Sequence, residues 1–229
     1  MNFITSPTES EKGGMNFITS PTEIEKRSFE IITGRLAGRE FDPRNINIIK
    51  RVIHTTADFD YADNLYFSDG AVSIAIEVLK NGAQIVTDTQ MARAGINKRA
   101  IAQLGCGEAD VHCFIDASEV HEAAQATGST RARAAVDHAA KSLKGPLIFA
   151  IGNAPTALIR ISELVSENVF SPALIIAVPV GFVNVVESKG LVLGLKIPHI
   201  VARGQKGGSN VAAAICNALL YEATERTLT

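Results

Sequence analysis

The alternation of short apolar runs with longer amphipathic segments constrains the fold of this chain more than any other feature. The apolar runs expected to form strands are 83–87, 109–115, 147–151, 172–178 and 197–202. The segments expected to form helices are 69–80, one starting at 89, 98–104, 118–126, 129–143, 154–167, 182–191 and 211–223. Because parallel strands need crossovers and bury both faces, the pattern predicts one doubly wound α/β domain. Its mainly parallel sheet would have about five strands flanked by helices.

Two further helices are predicted before the alternation begins. Residues 20–23, Ser-Pro-Thr-Glu, form a capping box with proline at the first helical position, so a helix is expected over about 21–33, ending at Gly34. Asp42-Pro43 is expected to start the second helix, whose apolar positions share one face. This helix would carry Arg51 and His54 near its C-terminal end.

The N-terminus contains a short repeat. Residues 1–9 recur unchanged as residues 15–23, and Gly13-Gly14 joins the two copies. A single short repeat does not make a repeat architecture. Residues 1–14 are therefore expected to be an added leader or a duplicated N-terminus, and residues 15–229 to form the single domain.

Composition excludes several classes of function. The 229 residues are 46% hydrophobic with a formal charge of −2, three tyrosines and no tryptophan, which gives neither a basic field nor stacking platforms for nucleic acid. The longest apolar run, 173–183, is too short to span a bilayer. Three cysteines are too few for a disulfide framework, so a cytoplasmic protein is expected. Cys106, His112 and Cys113 lack the paired spacing of a metal site, and no metal is predicted.

Ligands of open parallel sheets bind beyond the carboxyl ends of the strands. The residues predicted there are 87–89 (Thr-Asp-Thr), 116–118, 152–156 (Gly-Asn-Ala-Pro-Thr), 179–182 and 203–210. Strand-to-helix turns favour such residues whatever their function. Five of them in succession nevertheless indicate a shallow polar rim for a large ligand with several anionic groups.

The last of these turns, Arg-Gly-Gln-Lys-Gly-Gly-Ser-Asn over 203–210, is the strongest candidate for anion binding; it is called the glycine turn below. Arg203 and Lys206 supply charge, glycines allow close approach of the backbone, and Ser209 or Asn210 is expected to cap the final helix. The spacing is not that of a Walker loop. A flexible basic loop with a glycine-assisted helix start remains the alternative interpretation.

His54 is the best candidate for acid–base chemistry among the five histidines, because imidazole titrates near neutral pH. His112 and His199 are expected in strands, and His121 and His138 on polar helix faces. Two further features have open alternatives. Arg131 and Arg133 are either an anion clamp or solvated side chains, and the aspartates at 58, 60 and 63 are read as a solvated acidic loop and not as a metal cluster.

Seven fragments, in order and without large gaps, resemble the precorrin-8X methylmutase family, also called cobalt-precorrin-8 methylmutase. The fragments are 28–32, 51–54, 86–89 with Met91, 130–131, 152–156, 181–183 with 187–189, and 203–210. The similarity covers essentially residues 20–222. The first 14 residues depart from the pattern.

The resemblance implies an isomerase of corrin biosynthesis that moves a methyl group between neighbouring carbons of pyrrole ring C. It implies His54 as the catalytic acid–base group, and these substrate-binding residues: Ser28, Arg51, Thr87, Asp88, Met91, Arg131, Asn153, Lys189, Arg203, Lys206, Gly207, Gly208, Ser209 and Asn210. It also implies a homodimer with the site near its interface and a tetrapyrrole substrate and product. No cofactor is signalled. A non-catalytic corrinoid carrier is the alternative.

Overall fold

The computed structural model describes residues 17–105, 107 and 110–225. The predicted leader, residues 1–14, lies outside them. The strands are β1 Leu65–Phe67, β2 Gln84–Thr87, β3 Val111–His112, β4 Leu147–Ile151, β5 Leu174–Ala177 and β6 His199–Ala202. The helices are α1 Pro21–Arg35, α2 Ile46–Thr56, α3 Tyr61–Asn64, α4 Ala71–Lys80, α5 Gln90–Gly95, α6 Lys98–Gln103, α7 Ser118–Thr127, α8 Arg131–Ser142, α9 Pro155–Ser166, α10 Val185–Leu193 and α11 Ser209–Ala223.

The strands form one sheet in the order β1-β6-β5-β4-β2-β3. All neighbours pair in parallel except β1, which runs antiparallel to β6 with Leu65 opposite Ala202. The predicted α/β class and mainly parallel sheet are confirmed. The strand count is corrected from about five to six, because three residues at a sheet edge are too short to stand out as an apolar run.

Strand β3 is shorter than predicted. The expected strand 109–115 pairs with β2 only at Val111 and His112, while residue 109 lies outside the described part. As an edge strand, β3 gains ladder bonds on one side only. Beyond His112 the chain turns away, and Cys113 to Ile115 are half-buried.

Two helices start later than predicted, for local reasons. α2 starts at Ile46 because the Asp42 carboxylate accepts the amide N–H of Arg44 at 2.9 Å, which makes a turn of residues 43–45. α10 starts at Val185 and not near 182, because Asn184 has a left-handed φ of 60° that a helix cannot contain.

The core lies on both faces of the sheet. Successive β4 residues alternate: Ile148 and Ala150 pack with α2, α4 and α11, whereas Phe149 and Ile151 pack with α8 and α9. This alternation is the physical basis of the doubly wound arrangement. In the described part of the chain, no helix combines the length and apolarity that crossing a membrane requires.

Candidate active site

The carboxyl ends of β2, β4, β5 and β6 meet along one edge, and close backbone packing holds their loops together. A side chain at Gly152 would lie 2.7 Å from the Cα of Ser209, so only glycine allows this approach. The hydroxyls of Thr89 and Ser209 are 2.8 Å apart. The turns after β2, β4 and β6 are therefore in direct contact.

The glycine turn is fixed on its inner side by hydrogen bonds to the β5–α10 segment. Gly181 N–H donates to the Gln205 carbonyl at 3.1 Å, and Gly208 N–H donates to the Val178 carbonyl at 2.8 Å. A Cβ at Gly207 would lie 2.1 Å from the Val178 carbonyl oxygen. The turn is therefore a packed element, which argues against a flexible loop.

Both charges of the glycine turn have partners. Lys206 Nζ lies 2.6 Å from carboxylate oxygens of Asp58 and of Asp60, and these hydrogen bonds raise the Lys206 pKa. The Arg203 guanidinium lies 4.4 Å from the centroid of the Tyr66 ring. Asp58 and Asp60, two of the three aspartates in the loop read from the sequence as solvated, therefore bind the glycine turn.

The predicted capping of α11 is wrong. The helix begins at Ser209, Gly208 occupies the cap position, and no side chain caps the first turn. The Ser209 hydroxyl contacts Thr89 instead. Asn210 lies within the helix and is exposed.

His54 lies in the last turn of α2 and is exposed. Its ring stacks on Phe29 of α1, with centroids 5.1 Å apart and planes at 17°. Partial burial and the nearby positive charge of Arg51 lower the His54 pKa, and Glu25 opposes this shift. The free protein therefore holds mainly neutral imidazole at pH 7, with its ring accessible and oriented.

Arg51 supports the same corner from inside. It is buried, and its Nη1 donates to Glu25 at 2.8 Å. Its guanidinium lies 4.7 Å from the Phe29 centroid and 5.1 Å from that of Tyr221. Its Nε and Nη2 are buried and have no hydrogen-bond acceptor among the described residues.

The predicted substrate-binding residues Thr87, Asp88 and Lys189 are, like Arg51, buried and bonded to the protein. Thr87 Oγ1 lies 3.1 Å from the carbonyl oxygens of both Thr89 and His112. The Asp88 carboxylate accepts the amide N–H groups of Gly152, Asn153 and Ala154, at 2.9, 2.8 and 2.6 Å. Lys189 is 1% exposed. In this structure all three support loops of the rim and do not reach its surface.

Four other predicted residues are placed where a ligand could reach them. Met91 is 71% exposed, and Asn153 and Arg131 are also exposed. Arg131 Nη1 lies 3.0 Å from Nε2 of His121. Ser28 is half-buried on α1 and donates its hydroxyl to the Ile24 carbonyl.

The open choice between an anion clamp and solvated arginines is resolved differently for its two members. Arg133 pairs with Glu163, at 2.8 Å for Nη1, and so does not form a clamp with Arg131. Arg131 has 49% of its side chain exposed and lies 3.7 Å from Asp116. Of these two arginines, Arg131 is therefore the one whose guanidinium stays open to a ligand.

The predicted site residues fall into two groups. Ser28, Arg51 and His54 lie on α1 and α2, while the others lie along the rim. The α2–α3 loop joins the groups, because Asp58, four residues after His54, binds Lys206 of the glycine turn. This contact connects the His54 end of α2 with the glycine turn.

Sequence reasoning did not single out Phe29 and Glu25. Phe29 supports the His54 ring and Glu25 binds Arg51. The signal was available: residues 25 and 29 are four apart on α1 and share a face, as do Arg51 and His54 on α2. Phe182 and Val183, which fall within ranges named from the sequence but were not predicted to bind substrate, are exposed in the loop after β5.

The other histidines lie as predicted, whereas Cys113, expected within a strand, lies beyond the end of β3 and is half-buried. His199 is 3% exposed in β6, and His112 bonds Gln84 at 2.9 Å from Nε2. Cys106 lies outside the described residues. Across residues 17–105, 107 and 110–225, no group of three His, Cys, Asp or Glu side chains is placed to hold a metal ion.

Comparison with known proteins gives a consistent result. A family model described as "Precorrin-8X methylmutase" matches residues 23–222. The chain is 48% identical over 183 residues to "Cobalt-precorrin-8 methylmutase" of Salmonella typhimurium, covering 80% of this chain and 84% of that protein. It is 36% identical over 193 residues to "Precorrin-8X methylmutase" of Pseudomonas aeruginosa, covering 83% and 88%.

A solved structure agrees in fold. The crystal structure of precorrin-8x methyl mutase from Thermus thermophilus superimposes with a TM-score of 0.80 and 36% sequence identity. The match covers 89% of this chain and 96% of that one.

Proposed function

The chain belongs to the precorrin-8X methylmutase family, and we propose that it moves a methyl group between adjacent carbons of pyrrole ring C of precorrin-8X or its cobalt counterpart. The product would be hydrogenobyrinate or cobyrinate. Methylmutases are isomerases, so neither net oxidation nor a second substrate is needed. The family resemblance seen in the sequence is confirmed.

We propose His54 as the acid that assists the migration by protonating the ring C nitrogen or a neighbouring position. The observation that carries this proposal is the His54 imidazole itself: it is exposed, and it is oriented by stacking on Phe29 at 5.1 Å. A proton donor must have both access to the substrate and a fixed orientation. Among the histidines, His112 and His199 bond to the protein within the sheet.

Substrate binding would favour the protonated form of His54. Burial and Arg51 lower the pKa of His54 in the free protein. The acetate and propionate groups of a corrinoid bring negative charge, which raises the pKa of a nearby imidazole. Protonation of His54 would therefore be favoured mainly in the complex, where the proton is used.

The rim supplies features that suit such a substrate. Arg131 and Arg203 are exposed cations, and the buried N–H groups of Arg51 that lack acceptors point to a further carboxylate contact. Phe182 and Val183, 84% and 77% exposed, provide apolar surface at the same edge of the sheet. A broad apolar macrocycle with carboxylate arms needs this combination.

His54→Ala tests the assignment. Turnover of precorrin-8X should fall by at least about a hundredfold, because general acid catalysis contributes on that scale, while hydrogenobyrinate should bind within severalfold of wild type. His138→Gln, on α8, is the matched histidine control and should keep wild-type turnover. Near-normal turnover in His54→Ala would refute the role. Parallel assays with the cobalt substrate establish which form is used.

We also propose that the protein acts as a homodimer in the cytoplasm. Ile24 and Ile31 of α1 are 46% and 45% exposed and seven residues apart, so they share a helix face with Ser28 between them. A second copy covering this face would lie close to His54. The free thiols Cys113 and Cys216 are compatible with a reducing compartment.

A further inference from the structure

A buried lysine lies directly behind the glycine turn. Lys189 Nζ, on α10, donates to the carbonyl oxygens of Gly204 at 2.7 Å and Lys206 at 2.9 Å. The residue is 1% exposed, and no carboxylate among the described residues pairs with it. Burying an ammonium group that has no carboxylate partner costs free energy, and a role for its charge would explain why a lysine stands here.

The two hydrogen bonds of Lys189 determine the direction of the backbone. In a trans peptide the N–H points opposite to the C=O. Since the carbonyls of Gly204 and Lys206 point to Lys189, the N–H groups of Gln205 and Gly207 point away from it. Within the described part of the chain, neither N–H donates to a protein acceptor. The turn therefore presents two free donors, with a positive charge on their far side.

We propose that Lys189 is a positioning residue for the substrate: it holds the glycine turn so that the amides of Gln205 and Gly207 bind a substrate carboxylate. The inference rests on the function proposed above. It gives Lys189 a different role from the direct substrate contact expected from the sequence, because a side chain 1% exposed behind the turn does not touch a ligand on the outer side. Its charge acts through the two polarised peptide groups.

The protonation state of Lys189 is accessible near neutral pH. Burial alone lowers its pKa to about 8. The elements packed on α10 carry other titratable groups, but these have their own partners. Arg160 and Glu163 of α9 bind each other. His199 of β6 bonds the Ile197 carbonyl, and burial lowers its pKa. Arg203 stacks on Tyr66, and Lys206 binds two aspartates.

The charge of Lys189 sets the direction in which ligand affinity changes with pH. Below pH 8 the ammonium form of Lys189 strengthens an anion site on the outer side of the turn. Above pH 8 the neutral amine can still donate two hydrogen bonds but has lost its charge. Affinity for a carboxylate-bearing ligand should therefore fall as pH rises through about 8.

The test uses hydrogenobyrinate as the probe, titrated by absorbance at fixed ionic strength at several pH values across the Lys189 pKa. Wild-type Kd should rise about tenfold across this range, equivalent to about 1.4 kcal/mol. Lys189→Met should bind about tenfold more weakly at pH 7 and show no such pH dependence, with KM for precorrin-8X raised and kcat within about threefold. Lys196→Met, exposed beyond α10, is the matched control and should behave as wild type.

Hydrogen exchange separates this proposal from the general function. The amide N–H groups of Gly181 and Gly208 donate hydrogen bonds that hold the turn. Their protection from hydrogen exchange should decrease in Lys189→Met. Unchanged protection, or an unchanged pH profile in the variant, overturns the proposal. If Lys189→Met does not fold, a flat wild-type pH profile overturns it. A wild-type protein that neither binds hydrogenobyrinate nor converts precorrin-8X refutes the function, and the exchange measurement then decides the role of Lys189 by itself.

Discussion

At the scale of residues, the site depends on the protonation state of one imidazole, that of His54. His54 lies at the end of α2 with its ring stacked on Phe29. The nearby Arg51 guanidinium and Glu25 carboxylate have opposite effects on its pKa. Burial lowers the His54 pKa most, Arg51 lowers it further, and Glu25 raises it. The acid is thus adjusted by a neighbouring ion pair, Arg51–Glu25, whose N–O distance is 2.8 Å.

Arg51→Met should raise the His54 pKa from its lowered value toward the ordinary value of an imidazole, because the variant removes a nearby positive charge and leaves Glu25 unpaired. NMR titration of the His54 ring protons measures the shift. Arg39→Met removes an exposed arginine that pairs with Asp63, and should leave the His54 pKa unchanged.

The lowered pKa of His54 sets the expected pH dependence of catalysis. If His54 acts as an acid, wild-type kcat/KM must fall as pH rises through the free-enzyme pKa, which burial and Arg51 hold below the ordinary value of an imidazole. In Arg51→Met that fall should move to higher pH. A fall that stays at the wild-type pH while the NMR pKa moves would show that another group supplies the proton.

At the scale of elements, the rim depends on buried polar residues that fix strand-to-helix turns. Asp88, at the end of β2, accepts three consecutive amide N–H groups of the turn after β4. Burial raises the Asp88 pKa and these hydrogen bonds lower it, with burial prevailing. Lys189 does the equivalent for the glycine turn with carbonyl oxygens.

Asp88→Asn should destabilise the protein by about 2 kcal/mol, because an amide offers one acceptor oxygen where the turn supplies three donors. For a chain of this length that corresponds to a Tm lower by roughly 4–8 °C. Scanning calorimetry measures it. Asp69→Asn, at an exposed position before α4, is the control, and an Asp88→Asn protein that melts with it would contradict the structural role.

At the scale of the whole molecule, the proposed dimer is tested by its mass. The chain of 24.3 kDa should scatter light as a particle of about twice that mass, with Ile24 and Ile31 covered by a second copy. Replacing both with lysine should produce a monomer with low methylmutase activity, because the site is expected near the interface.

Thr33→Lys is the control for that experiment. Thr33 is exposed on the same helix but lies two residues from Ile31, and so on another face. It should leave the mass unchanged. A monomeric wild type, or a dimer that survives both isoleucine substitutions, would contradict the proposed interface.

Local chemistry explains how much of the fold followed from sequence. The strand 147–151 was predicted at its observed bounds, because its five residues are all apolar and Gly-Pro precedes them. The capping box at residue 20 likewise set the start of α1. The exceptions include β1 and the length of β3, which pairing at the sheet edges decided. They also include the starts of α2 and α10, which an aspartate-stabilised turn and a left-handed asparagine decided.

The sequence by itself determined the fold class, the family and the position of His54 at a helix end, because periodicity, caps and motif order are properties of the chain in one dimension. Only the tertiary structure decided which polar residues reach the surface. Thr87, Asp88 and Lys189 carry the same chemistry as exposed ligand-binding residues, yet they are buried among backbone groups brought close by β-strand pairing. Burial and partners depend on neighbours distant in sequence, and residue type alone does not encode them.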